Sequence, residues 1–181
     1  MPTPMSDRMK RLLLLPLMLS CAGCVKHLQE PPAAVSFVRF EKTRYAYKLT
    51  FNSNTGFLAA SYTDKLPVVG HWLICSLDGD TDFSIDHAFS LRRFMRGITE
   101  SADHAEKGQQ PSFAYSSELT FSETLDEGTS DHALSKTDVN SLLAGRSSIP
   151  CKVVMTITGY APYYSMTMQV PAKALLDEVN R

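Results

Sequence analysis

Several groups of residues in this chain are of types that carry chemistry. Asp78, Asp80 and Asp82, with Asp86 beyond, place carboxylates at alternate positions, a spacing that can converge on a hard cation such as calcium. The details of that loop do not fit. Phe83 stands where a calcium loop needs glycine and Phe89 where it needs a bidentate glutamate, so an Asp-Gly turn rich in solvated carboxylates explains the same residues. No metal ligand is therefore assigned.

The five histidines, His27, His71, His87, His104 and His132, form no His-x-x-x-His pair and have no cysteine at zinc spacing. His71 lies in an apolar run and reads as a satisfied core residue. His87, His104 and His132 each follow an aspartate in or beside a polar segment, where a serine or second carboxylate could meet them only through the fold. With neither a Gly-x-Ser-x-Gly elbow nor a glycine-rich phosphate loop, no catalytic residue is assigned and the expectation is a non-enzyme. A periplasmic hydrolase working through one of these histidines is the alternative of a different class.

Binding chemistry leaves more trace. Tyr160, Tyr163 and Tyr164 cluster around a Gly-Tyr-Ala-Pro turn, and tyrosine offers flat apolar area with a polar tip. Rings covering the edge of a core would look the same. Arg92, Arg93 and Arg96 make a local basic cluster suited to lipid headgroups, peptidoglycan or an acidic protein, or else a solvated face. Two polar segments, Thr99 to Pro111 and Ser122 to His132, are long for plain connections and are candidates for a binding rim.

Those residues must be held by strands. Tyr45, Tyr47, Leu49 and Phe51 alternate with Arg44, Ala46, Lys48 and Thr50, the period-two signature of a half-buried strand. Phe113, Tyr115, Leu119 and Phe121 repeat it, with Ser117 as the one lapse. Val153, Met155 and Ile157 are followed, after the tyrosine turn, by Tyr164, Met166, Met168 and Val170, which predicts a hairpin. Val68 to Leu77 is apolar on both faces and reads as a central strand; Ser36–Phe40, Gly56–Tyr62 and Ala88–Ile98 are weaker candidates, the last with a rival helical reading. Two helices are expected. Ser135 and Asp138 have capping-box spacing, Leu134 and Val139 that of a staple, and Gly145 ends the helix. A second starts at Pro171 and aligns Ala172, Leu175, Leu176 and Val179, leaving Lys173, Asp177 and Glu178 turned to water. The fold class is mainly β, an antiparallel sandwich-like domain with two short peripheral helices, one of them C-terminal.

The first two dozen residues decide location. Arg8, Lys10 and Arg11 precede the apolar run Leu12 to Leu19, far short of the about 20 residues that cross a bilayer, and Ser20, Cys21, Ala22, Gly23 and Cys24 follow. A basic start, a short apolar stretch and small residues are the parts of a secretory signal peptide. The segment resembles the lipobox of bacterial lipoproteins. That resemblance implies a cysteine that becomes the mature N-terminus and carries covalent diacylglycerol and a fatty acyl chain such as palmitate, with no other cofactor. Cys24 has the preferred small pair before it; Cys21, after Met18, Leu19 and Ser20, is the alternative. Acylation at Cys24 removes Cys21 with the leader and leaves Cys75 and Cys151 as an even pair for a disulfide, in keeping with an oxidising compartment. Several acyl chains exceed the roughly two membrane signals that stable anchoring needs. Val25 rather than Asp at the next position implies sorting to the outer membrane of a two-membrane cell, facing the periplasm.

The resulting organisation is a signal peptide over 1–23, a lipidated N-terminus with a flexible Pro-containing tether over 24–34, and a single β-rich domain over 35–181. With 18 basic against 19 acidic residues the chain offers no basic face for nucleic acid. The expected role is an anchored envelope lipoprotein that binds an envelope protein or peptidoglycan; a small subunit of a secretion or surface assembly is a variant of it.

Overall fold

The structure, a computed structural model, describes residues 26–58, 68–88, 92–102, 113–125 and 130–181. Among them nine strands form one antiparallel sheet: β1 (Val35–Lys42), β2 (Tyr47–Ser53), β3 (Val68–Ser76), β4 (Arg93–Ser101), β5 (Phe113–Leu125), β6 (Ser130–Ala133), β7 (Ser148–Ile157), β8 (Tyr163–Tyr164) and β9 (Met168–Pro171). Their order is β1-β2-β5-β4-β3-β7-β8, with β6 beside the end of β5 and β9 beside the start of β7. The sheet curls until its margins meet. β9 packs against β1, and the Met166 N–H donates to the Ala33 carbonyl at 2.9 Å. The fold is thus mainly β and sandwich-like, with one continuous sheet supplying both layers around the core.

Period-two patterning explains which residues turn inward. Leu49 and Phe51 of β2 face Tyr115 and Leu119 of β5 in the core, all of them at most 2 % exposed. Ser117 keeps the same phase as those two β5 residues, so the apparent lapse is no break in the strand. Its hydroxyl lies 3.2 Å from that of the fully buried Thr99 on β4, and the pair satisfies itself inside the core. Between β4 and β7, β3 is buried on both faces from Leu73 to Ser76, as its composition predicts, while Val69 near its start is exposed. Leu73 and Cys75 join the main core, while Ile74 joins Phe94 and Val154 in a smaller outer cluster. Phe83 belongs to that cluster, and Trp72, Ile85 and Tyr164 pack against it; Ile85 opens a single helical turn, Ile85–Ala88.

Four local expectations are corrected. Tyr45 is 83 % exposed, because the Thr43 hydroxyl and the Ala46 backbone close a turn that delays β2 until Tyr47. In the hairpin the inward residues are Tyr163, Ser165, Met168 and Val170, with Met166 outside. The registers Val154 to Tyr164 and Cys151 to Met168 leave three residues opposing two, a bulge that shifts the phase. Buried Ser165 repairs the ladder there, its hydroxyl accepting from the Val153 N–H at 2.9 Å. Gly56 to Leu58 is not a strand, since Phe57 and Leu58 leave β2 to cap the core, Phe57 stacking on Tyr115 at 4.4 Å; the rest of that candidate lies outside the described residues. Within the Ala88–Ile98 candidate, Ala88 closes the helical turn and the strand runs from Arg93, while 89–91 lie outside the described residues.

Both helices form. α1 (Lys136–Leu143) starts at Ser135, which accepts from the Asp138 N–H at 3.2 Å while Asp138 accepts from the Ser135 N–H. Gly145, at φ +74°, follows its last turn. α2 (Ala172–Asn180) buries Ala172, Leu175 and Val179. It also buries Glu178, expected in water. That carboxylate accepts the Lys42 N–H at 3.0 Å, capping the last donor at the edge of β1, and pairs with Arg181. Asn140 and Asn180 exchange side-chain hydrogen bonds between the helices.

Cys75 and Cys151 face each other across β3 and β7 and form a disulfide inside the core. It joins positions 76 residues apart, worth about 4 to 5 kcal/mol on chain-entropy grounds.

Candidate functional site

The antiparallel order fixes which connections share an end. One end holds Val35, Ser53, Val68, Ser101, Phe113, Ile157 and Tyr163, the termini that border the N-terminal segment and the tyrosine turn. The other holds Lys42, Tyr47, Ser76, Arg93, Leu125 and Ser148 and is closed by α1 and α2. Ser101 and Phe113, which flank the β4–β5 connection, therefore stand at the end with the tyrosine turn, and Leu125 and Ser130, which flank the β5–β6 connection, at the other. Residues 103–112 and 126–129 of the two polar segments lie outside the described residues.

The tyrosines themselves grip the chain. The Tyr163 hydroxyl accepts from the Ala33 N–H at 2.6 Å and donates to the Pro31 carbonyl at 3.1 Å, and its ring is only 7 % exposed. Burial pushes this phenol above its ordinary pKa. Tyr164 accepts from the Ile85 N–H at 2.9 Å, tying the helical turn to the sheet. Tyr160 pairs with Lys26 in a parallel bridge, with the lysine ammonium 5.9 Å from the ring centre. These contacts use the three tyrosines as internal staples, in keeping with rings that cover the edge of the core.

Their main client is the stretch expected as a tether. From Lys26 onward it lies on the domain: the Lys26 carbonyl accepts from Ala161 at 2.7 Å, Leu28 packs on the core, and Ala34 and Asn54 exchange two hydrogen bonds. Sequence reading missed this strap. Its one local signal was Leu28, an apolar residue in a polar stretch, and its partners at the tyrosine turn are more than a hundred positions away. Between strap and turn lies a cleft of about 210 Å³ lined by His27, Glu30, Pro32, Pro162 and both Tyr163 and Tyr164. Small-molecule sites usually run about 300–1,000 Å³, so this is a seam between packed segments.

The arginines are paired where they stand, three guanidiniums sharing two carboxylates. Glu123 takes both Arg92 (3.4 Å) and Arg93 (3.0 Å), and Asp131 takes Arg96 at 2.9 Å, whose guanidinium also covers the Phe94 ring. Such pairs across β4, β5 and β6 favour strand registry over capture of an external anion.

The acidic loop is a series of turns. Asp80 accepts the Asp82 N–H and Asp82 the Ser84 N–H, each at 2.9 Å, while Ser76 donates to Asp78. His87 Nε2 sits 2.6 Å from Asp80 Oδ2. That hydrogen bond raises the His87 pKa, and the Asp82 N–H followed by His87 lowers that of Asp80. Among the described residues no serine or cysteine side chain is hydrogen-bonded to the His87 ring, and no cluster of three potential metal ligands occurs. His132 is exposed on β6, and His104 lies outside the described residues. His71 departs from expectation: its buried Nδ1 has no hydrogen-bond partner.

On the outer sheet face Lys48, Ile98, Glu100, Ser116 and Glu118 line a shallow groove of about 310 Å³. Beside it β4 comes so close to β5 at Gly97 that a Cβ there would lie 1.9 Å from the Glu118 carbonyl oxygen. Its charges are mixed and its single large apolar residue is Ile98, which is too little to define a ligand. Comparison with protein-family models, curated proteins and solved structures found no match.

Proposed function

We propose that this chain is a lipid-anchored lipoprotein of the bacterial cell envelope, held at the periplasmic face of the outer membrane and acting by binding or structural support. The observation that carries this reading is the lipobox-like run ending at Cys24, considered with the fate of the cysteines that follow it. Once Cys24 is the acylated N-terminus, every remaining cysteine is used, because Cys75 and Cys151 form a buried disulfide. A core disulfide suits an exported protein and not a reducing cytosol. The domain's polar groups support a role without catalysis: its tyrosines, arginines and acidic loop are spent on internal turns and staples. The partner class proposed is an envelope protein or peptidoglycan.

Mass spectrometry of the N-terminal peptide from membranes tests the anchor. A diacylglyceryl and fatty-acyl mass on Cys24 is expected; the same mass on Cys21 would move the cleavage site and remove the argument from Val25, and an unmodified peptide would end the proposal. For the role, crosslinking in intact cells should recover a defined envelope partner. A hydrolytic activity abolished by substitution of His87, His104 or His132 would replace the binding reading with an enzymatic one.

A further inference from the structure

The strap leaves almost no free chain between the proposed anchor and the folded domain. Lys26 is already fixed by its carbonyl to Ala161 and by its bridge to Tyr160. Cys24 precedes it by two residues, which span at most about 7 Å when fully extended. A glycerol-linked cysteine sits at headgroup level, so the strap's first residue must lie within about one headgroup layer of the membrane.

We infer that the end of the sheet holding Lys26 and the tyrosine turn rests directly on the lipid leaflet, and that the domain lies on the membrane instead of standing off on a tether. This rests on the lipoprotein reading above. Other features of the same end suit a lipid surface. Val69, at the start of β3, is 68 % exposed and Phe113, at the start of β5, is 40 % exposed, large apolar side chains one residue or less from the strand termini. Lys26, at the start of the strap, is exposed as well, and a lysine there is attracted to an anionic lipid surface. The opposite end carries α1, α2 and the Arg–Glu123 and Arg96–Asp131 pairs, and is thereby turned toward the periplasm.

The test uses the full-length acylated protein in vesicles of phosphatidylethanolamine and phosphatidylglycerol containing a headgroup-linked quencher. Single cysteines are introduced near the leaflet (V69C, F113C) and at the far end (Y45C, K136C) and labelled with an environment-sensitive fluorophore; the buried disulfide takes no label. Quenching several-fold stronger at positions 69 and 113 than at 45 and 136 is expected. Equal or reversed quenching in protein that floats with the vesicles overturns the orientation while leaving the anchor intact. Protein that fails to float and carries no acyl mass overturns the anchor reading itself. A crosslink from position 69 to a protein in intact cells, with no quenching in lipid alone, would assign this end to a protein partner instead.

Discussion

Single side chains in this domain do disproportionate structural work, and Tyr163 is the clearest case. Its hydroxyl bridges the Ala33 N–H and the Pro31 carbonyl, so Tyr163→Phe keeps the ring and removes both bonds. A loss of about 1 to 3 kcal/mol is expected, since a buried N–H is left unpaired. Hydrogen exchange should accelerate first in residues 26–34; unchanged protection there would show that the strap is held by other contacts. The Asp80–His87 pair makes a pH prediction. Because the folded pKa of His87 is raised, its contribution is complete below the unfolded value and is lost as pH rises through the folded one; Asp80 is depressed, so its contribution is lost as pH falls through its own folded value. The pair is therefore tightest in mildly acidic solution. An NMR titration should place the His87 midpoint above the ordinary histidine value of about 6.5, and Asp80→Asn should bring it down. Both side chains are more than a third exposed, so the effect belongs to the local loop and not to global stability.

At the scale of elements, α1 was the most legible part of the sequence because its signals are local. Ser135, Asp138 and Gly145 lie within one or two turns of the structure they specify. Ser135→Ala should lower stability by about 1 kcal/mol, read as a drop in the denaturant midpoint with unchanged slope. The inward phase of β5 was legible for the same reason at Tyr115, Leu119 and Phe121, though not at Ser117, whose partner Thr99 lies on another strand. What failed were features set by distant neighbours: the bulge that turns Met166 outward, and the burial of Glu178 under the end of β1. Glu178→Leu tests the second. It retains apolar contact but leaves the Lys42 N–H without its carboxylate, and should cost about 1 to 3 kcal/mol. A stabilised variant would mean that burying the charge outweighs the bond.

Across the whole molecule, composition and alternation identified a mainly β antiparallel domain with peripheral helices, and cysteine count identified the disulfide pair. The curl was not legible, since contacts such as Met166 to Ala33 join residues that no local pattern relates. The candidate site was read only in part for the same reason: tyrosine and arginine clusters were visible, but their partners, Pro31, Ala33, Ile85, Glu123 and Asp131, are far away in sequence. Reduction of Cys75–Cys151 should lower unfolding free energy by about 4 to 5 kcal/mol, measured by denaturant titration with and without reductant. A negligible change would mean that the reduced chain keeps β3 and β7 paired when unfolded.

The strap also imposes an order in time. The residue that clasps Ala33 lies 130 positions further along the chain, so while the protein emerges N-terminus first nothing exists to hold the segment down. An enzyme acting just upstream of Lys26 meets a loose peptide early and a fastened one late. If the chain is exported and acylated as proposed, processing that lags behind folding is self-limiting, and delayed export of the tyrosine turn lengthens the interval in which the N-terminal peptide can be modified.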